Sequence, residues 1–265
     1  MKTPLYVITW QDLLLSLSFI ALSLVLLKYW RIGLGRTLLL GTFRTFAQLT
    51  LMGYLLTFIF QQRTPWFMGG LLLLMIAVAG FEARRRQKRS IPNFYLIVSG
   101  SLAITAVVIL GTILKVILKL EPWYSPYAVI PIAGMIIGNG LNTVSLTAER
   151  FVSELQHREV EIETLLSLGA APRWAVHDAL KDALQASLIP NVNAMMTVGL
   201  VQMPGVMTGQ ILAGIDPVIA VRYQIMIMYM WFSTATLANV LSLSMLYRQY
   251  FTARWQLRRE LLGTV

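Results

Sequence analysis

Cysteine is absent from all 265 residues, which excludes disulfides, thiolate metal sites and cysteine nucleophiles. Histidine occurs twice, as His157 and His177, both in the most polar stretch, so no apolar segment carries an imidazole. Charge is scarce too: 13% of residues are Asp, Glu, Lys or Arg, against about 25% in an ordinary soluble domain. No Gly-Lys pair occurs anywhere, so the GxxxxGK(S/T) phosphate loop is missing from this chain. HExxH and GxSxG are also missing. An intramembrane enzyme would need a nucleophile with its base at membrane depth, and the chain offers no such set.

What is abundant is apolar residues, 57% of the chain. A helix needs about 20 of them to cross the hydrocarbon core. Spans are predicted at about 10–27, 37–60, 66–81, 93–114, 127–148, 191–215 and 218–247. The first lacks a basic start beyond Lys2 and a small-residue cleavage site, so it reads as a retained helix and not a signal peptide. Between the last two lies Asp216-Pro217, where proline cannot continue the preceding helix. The predicted fold is all-α: one transmembrane domain over 1–265, a polytopic membrane helical bundle of about seven helices.

Base exceeds acid, 22 residues against 12, and the basic residues alternate between loops. Lys28, Arg31, Arg36, Arg84, Arg85, Arg86, Lys88 and Arg89 fall on one side. Arg150, Arg158, Arg173, Lys181, Arg248, Arg254, Arg258 and Arg259 join them. The opposite side holds Lys2, Arg63, Lys115 and Lys119. Seven spans make this alternation work, and the positive-inside rule puts the N-terminus outside and the C-terminus in the cytoplasm. Short basic runs between apolar segments suit a lipid bilayer and exclude nucleic acid as a partner.

The cytoplasmic segment 149–189 is not needed for spanning. Phe151, Leu155, Ile162 and Leu166 recur at helical spacing, with Glu154 and Arg158 as an i,i+4 pair. Gly169-Ala170-Ala171-Pro172 reads as a helix stop followed by a start. From Pro172, Val176, Leu180, Ala183, Leu184 and Leu188 share one face, while Arg173, His177, Lys181 and Gln185 share another. This amphipathic helix is expected to end at Ile189-Pro190. It reads either as an interfacial anchor or as a docking surface for a cytoplasmic protein. Five glutamates between 149 and 163 suit a protein better than anionic lipid.

Within the spans, Gly134 and Gly138 form one GxxxG pair and Gly205 and Gly209 another. Such pairs serve close helix packing or the translocation path. Asn139, Asn142, Asn191, Asn193, Gln202 and Gln210 supply polar atoms, and Arg44 with Gln48 one turn later could face the bundle interior. Met195, Met196, Met203 and Met207 lie along the sixth span; methionine is a soft ligand but more often packing.

PIAGMIIGNG at 131–140 is similar to the Fet-type iron export permease family, also known as uncharacterised protein family 14. So are LLSLGAAPRWA at 165–175, SLIPNVNAMMTVGLVQMPGVMTGQILAGIDP at 187–217 and AVRYQIMIMYMWFSTATLA at 220–238. The resemblance implies an ABC transporter permease of the cell (inner) membrane, a homodimer paired with ATP-binding subunits that hold ATP and magnesium. It also implies iron export, with plant relatives linked to aluminium tolerance and, in one case, to nucleotide-sugar transport. ETLLSLG at 163–169 resembles the EAA loop of ABC importer permeases, with both alanines replaced. The resemblance makes Glu163 and Gly169 coupling candidates, and Glu159, Leu168, Ala170, Pro172 and Arg173 flank them. No metal ligand set is identifiable. An ATPase-independent secondary transporter or channel, and an ABC permease for a non-metal cargo, remain the alternatives.

Overall fold

The computed structural model describes residues 8–62, 64–87 and 91–263. Lys2, Arg63, Lys88 and Arg89, used for the predicted orientation, lie outside the described residues. The chain forms two compact units, Met1–Gln62 with Leu212–Ile215, and Arg63–Ile211 with Asp216–Val265.

The first unit contains α1 (Trp10–Tyr29) and α2 (Gly35–Gln61). Thr9 and Asp12 start α1 as a reciprocal capping box, satisfying two backbone donors that the first turn would otherwise leave bare. The Trp10 ring meets Phe46 edge-on at 6.4 Å. Arg44 and Gln48 on α2 have exposed side chains.

The second unit is built around α5 (Pro126–His157), which packs with α3 (Pro65–Arg86), α4 (Phe94–Thr112), α8 (His177–Thr197) and α10 (Pro217–Leu246). A π-helical turn, Ile113–Ile117, continues α4, and a 3-10 turn, Tyr247–Tyr250, continues α10. Among the described residues six helices are long and apolar enough to cross a membrane: α1, α2, α3, α4 with its π turn, α5, and α10 with its 3-10 turn. Among the described residues there is no strand, only two isolated bridges.

Side-chain contacts fix the helix directions. Asn139 Nδ2 donates to the Trp231 carbonyl at 2.7 Å, and twelve residues later the Phe151 ring meets Tyr250 at 5.8 Å. α5 and α10 therefore run the same way. α3 joins them, since Gly134 lies beside Met75 and Asn142 beside Arg86. The close approaches occur at Gly80 and Gly140. A Cβ on Gly80 would collide with Ser99 Oγ, and one on Gly140 would lie 2.5 Å from Leu102. The predicted packing glycines do not play that part within the chain. Gly138, Gly205 and Gly209 have no neighbour within 4 Å of a built Cβ, and Gly134 makes only an ordinary contact. On α5 it is Gly140 that points at α4 and α10.

The predicted sixth span, 191–215, is not one helix. α8 runs through Pro190 without ending there and stops at Val198. Residues 198–204 form a tight turn, with the Gly199 N–H donating to the Gln202 carbonyl at 2.9 Å. α9 (Gly205–Leu212) follows. Gly199 has φ +83, a left-handed conformation costly for other residues, and Pro204 cannot donate to a continuing helix.

Candidate functional site

α5 is longer than the predicted 127–148, and its last two turns leave the bundle to carry a compact knob. α6 (Glu159–Ser167), α7 (Pro172–Ala175), the start of α8, and α11 (Arg259–Leu262) gather around it. Phe151, Leu155, Ile162, Val176 and Leu262 are fully buried there. Gly169 has φ +90 and ends α6, while Pro172 opens α7 at its first turn, as their chemistry predicts. The helix expected to run from Pro172 to Ile189 is interrupted at Val176. Its inner face, Ala179, Ala183 and Ser187, is buried, and α8 packs on α5 and α10.

The glutamates of the knob are engaged within the chain. Arg259 Nε pairs with Glu159 at 2.8 Å and also forks onto both carboxylate oxygens of Glu163. Arg158 links Glu154 at 3.3 Å, Glu161 at 3.9 Å and Asp182 at 2.5 Å, tying α5, α6 and α8 together. The Glu163 hydrogen bond and charge raise the Arg259 guanidinium above its ordinary range, against desolvation and with Glu159 adding to the rise. Desolvation lowers that of Arg158, but the Glu154 hydrogen bond and the neighbouring carboxylates outweigh it. These carboxylates are thus ion-paired within the chain, five of them to two arginines, so the segment stays net acidic although most of its acids already have a partner. Large apolar side chains also stand exposed on it: Val160, Leu168 and Trp174 are 79%, 79% and 75% exposed, alongside exposed Glu161, Thr164, Ser167 and Arg173 and half-buried Ala170.

One turn or more above the knob, α5, α8 and α10 enclose a cavity of about 310 Å³. Its polar wall is Asn139, Asn142, Thr143, Ser187, Asn191 and Gln202; Met195, Met228, Trp231 and Phe232 supply much of the rest. Asn139, Asn142 and Gln202 were legible as path candidates. Asn193 and Met203 lie off the cavity with exposed side chains. Thr143, Ser187, Trp231 and Phe232 carried no sequence signal beyond being polar or aromatic residues within spans.

Arg86, at the end of α3, donates from Nη1 to Asn142 Oδ1 at 2.7 Å, so the basic end of one helix reaches the cavity wall. Gln87 Nε2 donates to the Ser145 carbonyl just below. Deeper in, Asn239 Nδ2 donates to Ser187 Oγ at 3.1 Å, and that hydroxyl donates to the Leu184 carbonyl at 2.9 Å. No lining residue is ionisable, and the described residues hold no group of three or more His, Cys, Asp or Glu able to bind a metal ion.

A model of Uncharacterised protein family (UPF0014) matches residues 10–251. A UPF0014 membrane protein of Synechocystis sp. is 39% identical over 257 residues, covering 97% of this chain and 99% of the relative. "Probable iron export permease protein FetB" of Escherichia coli is 36% identical over 258 residues, 94% of this chain and 95% of that one. "Protein ALUMINUM SENSITIVE 3" of Arabidopsis thaliana is 31% identical over 249 residues, 94% and 90% of the two chains. No solved structure matches.

Proposed function

The chain belongs to Uncharacterised protein family (UPF0014), and on that premise we propose that it is the permease subunit of an ABC transporter. In this reading it exports iron or another metal, driven by a separate ATPase subunit that binds ATP and magnesium. The observation that carries the reading is the reach of α5. Residues 139–146 of this one helix line the cavity, and residues 151–157 anchor the knob. From Thr143 to Leu155 is about 18 Å of uninterrupted helix. A push on the knob therefore reaches the cavity wall without a joint to absorb it.

The docking face is Leu168, Trp174 and Val160, rimmed by Arg173. A projecting apolar knob fits a groove on a partner, and exposed tryptophan is the side chain most often found at the centre of such contacts. Two permease chains and two ATPase subunits complete the assembly.

α8, the 198–204 turn and α9 act as one broken seventh traverse. α5 and α10 run parallel, so the chain must return from the knob before α10 begins. Ser187 lies level with Asn239, about 33 Å along α10 from Pro217. The remainder of α8, the turn and α9 supply that climb. Non-helical backbone at membrane depth is tolerated where it lines a cavity, as Val198, Gln202 and Pro204 do. With seven crossings, the basic ends of α3, α5 and α10 lie in the cytoplasm and the N-terminus outside. Ion-driven transport without an ATPase would call on ionisable groups within the spans; none lines the cavity, and Arg86 touches it only through Asn142.

Co-purification with the ATPase subunit, and transport-coupled ATP hydrolysis by the pair, test this reading. Coupling that survives scrambling of residues 159–175 would sink it.

A further inference from the structure

The hydrogen bonds around the cavity decide what its wall can offer a cargo. An arginine can only donate, so the Asn142 atom facing Arg86 must be the oxygen. The Asn142 amide nitrogen is then left as a donor. A main-chain carbonyl can only accept, so Asn139 turns its nitrogen to Trp231 and keeps its oxygen as an acceptor. Thr143 spends its proton on the carbonyls of Asn139 and Gly140 and retains only acceptor capacity. The side-chain amides of Asn191 and Gln202 make no hydrogen bond among the described residues, so each offers both a donor and an acceptor. Trp231 and Phe232 add aromatic surface, suited to a flat apolar face.

Nothing in that wall compensates a bare metal ion. Its oxygens are neutral amide and hydroxyl oxygens with no carboxylate among them; transition metals favour imidazole or thiolate, and an ion buried without a counter-charge is strongly disfavoured. A volume of about 310 Å³ lies at the small end of organic ligand sites, about 300–1,000 Å³.

We propose that the α5–α8–α10 cavity binds a small, net-uncharged organic ligand carrying both hydrogen-bond donors and acceptors, so that a metal enters it only inside a charge-neutralising organic shell. This rests on the permease reading and names its cargo class.

The absence of cysteine supplies a clean reporter. In the full chain purified into lipid nanodiscs, Met195→Cys places a single thiol in the cavity wall, with Ala194→Cys as an independent second. Ser167→Cys on the knob is the control. Maleimide labelling is timed with maltol, with its neutral tris(maltolato)iron(III) complex, and with ferrous chloride. Maltol or its iron complex is expected to slow cavity labelling about tenfold at about ten times its dissociation constant, leaving the control unchanged. Protection by maltol alone identifies the free organic ligand as the cargo form; protection by the complex alone identifies the shell around a metal. Ferrous ion is expected to protect neither cavity thiol. Protection by ferrous ion alone, or by none of the three, overturns the proposal. ATPase co-purification is unaffected by any of these results, so the permease reading stands or falls separately.

Discussion

Arg259 lies 96 residues beyond Glu163 and grips both of its carboxylate oxygens, closing the C-terminal segment over the helix that shapes the knob. Gln156 reinforces the closure by donating to the Leu262 carbonyl at 2.7 Å, and the Leu262 side chain is fully buried. The knob is therefore assembled from the middle and the C-terminal end of the second unit's sequence.

Reversing that charge should loosen α6 without unfolding the bundle. In Arg259→Glu, amide exchange over residues 159–167 is expected to accelerate on the order of tenfold, and Glu163→Arg in the same chain should restore part of the protection. The pair is exposed, so high salt should mimic the variant. The pH dependence has a definite sign. The Arg259 pKa is raised on folding, so its contribution is fully present below the unfolded value and lost only as pH climbs through the folded one. The arginine thus adds no pH dependence across the neutral range.

Leu168→Glu and Trp174→Glu should abolish co-purification with an ATPase subunit while leaving the melting temperature near that of the parent. Both side chains are largely exposed, so their loss removes little internal packing. A variant that keeps its ATPase would exclude this face as the docking surface.

The two glycines on α5 should separate cleanly. Gly140→Ala forces a Cβ against Leu102 and is expected to cost about 1–3 kcal/mol. Gly138→Ala meets nothing within 4 Å and should be neutral or stabilising by about 0.5–1 kcal/mol. Thermal unfolding in one detergent gives both numbers, and equal effects would contradict the packing described for α4, α5 and α10.

Single cysteines report the layout directly. Ser167→Cys on α6 and Ala253→Cys beyond α10 should react with an impermeant maleimide from the cytoplasmic face, and Thr64→Cys before α3 from the outer face. Labelling of residues 167 and 253 from opposite faces would remove the broken traverse.

Much of the bundle was readable from its apolar runs. α2, α3 and α10 begin within a residue or two of the predicted positions, and Gly169 and Pro172 end and start helices where backbone chemistry demands it. The broken span was harder. Its residues are apolar enough on average to read as one span, and hydropathy does not register a left-handed glycine; Gly199 and Pro204 were the available marks. Pro190 misled in the opposite sense, because a proline can sit inside a helix when the lost bond faces a cavity. The long-range ion pairing of the knob was not readable at all. Local periodicity pairs Glu154 with Arg158, but nothing local to Glu163 points to Arg259. The cavity was half readable: amides in a membrane span announce themselves, whereas Trp231 enters partly through its carbonyl, which every residue possesses.

That carbonyl bears on how such a wall could change its selectivity. Because Asn139 is tethered to the main chain at position 231, exchanging the indole for another side chain reshapes the chamber yet keeps the tether. Position 231 is thus a place where a binding preference can be rewritten while the scaffold beside it holds still.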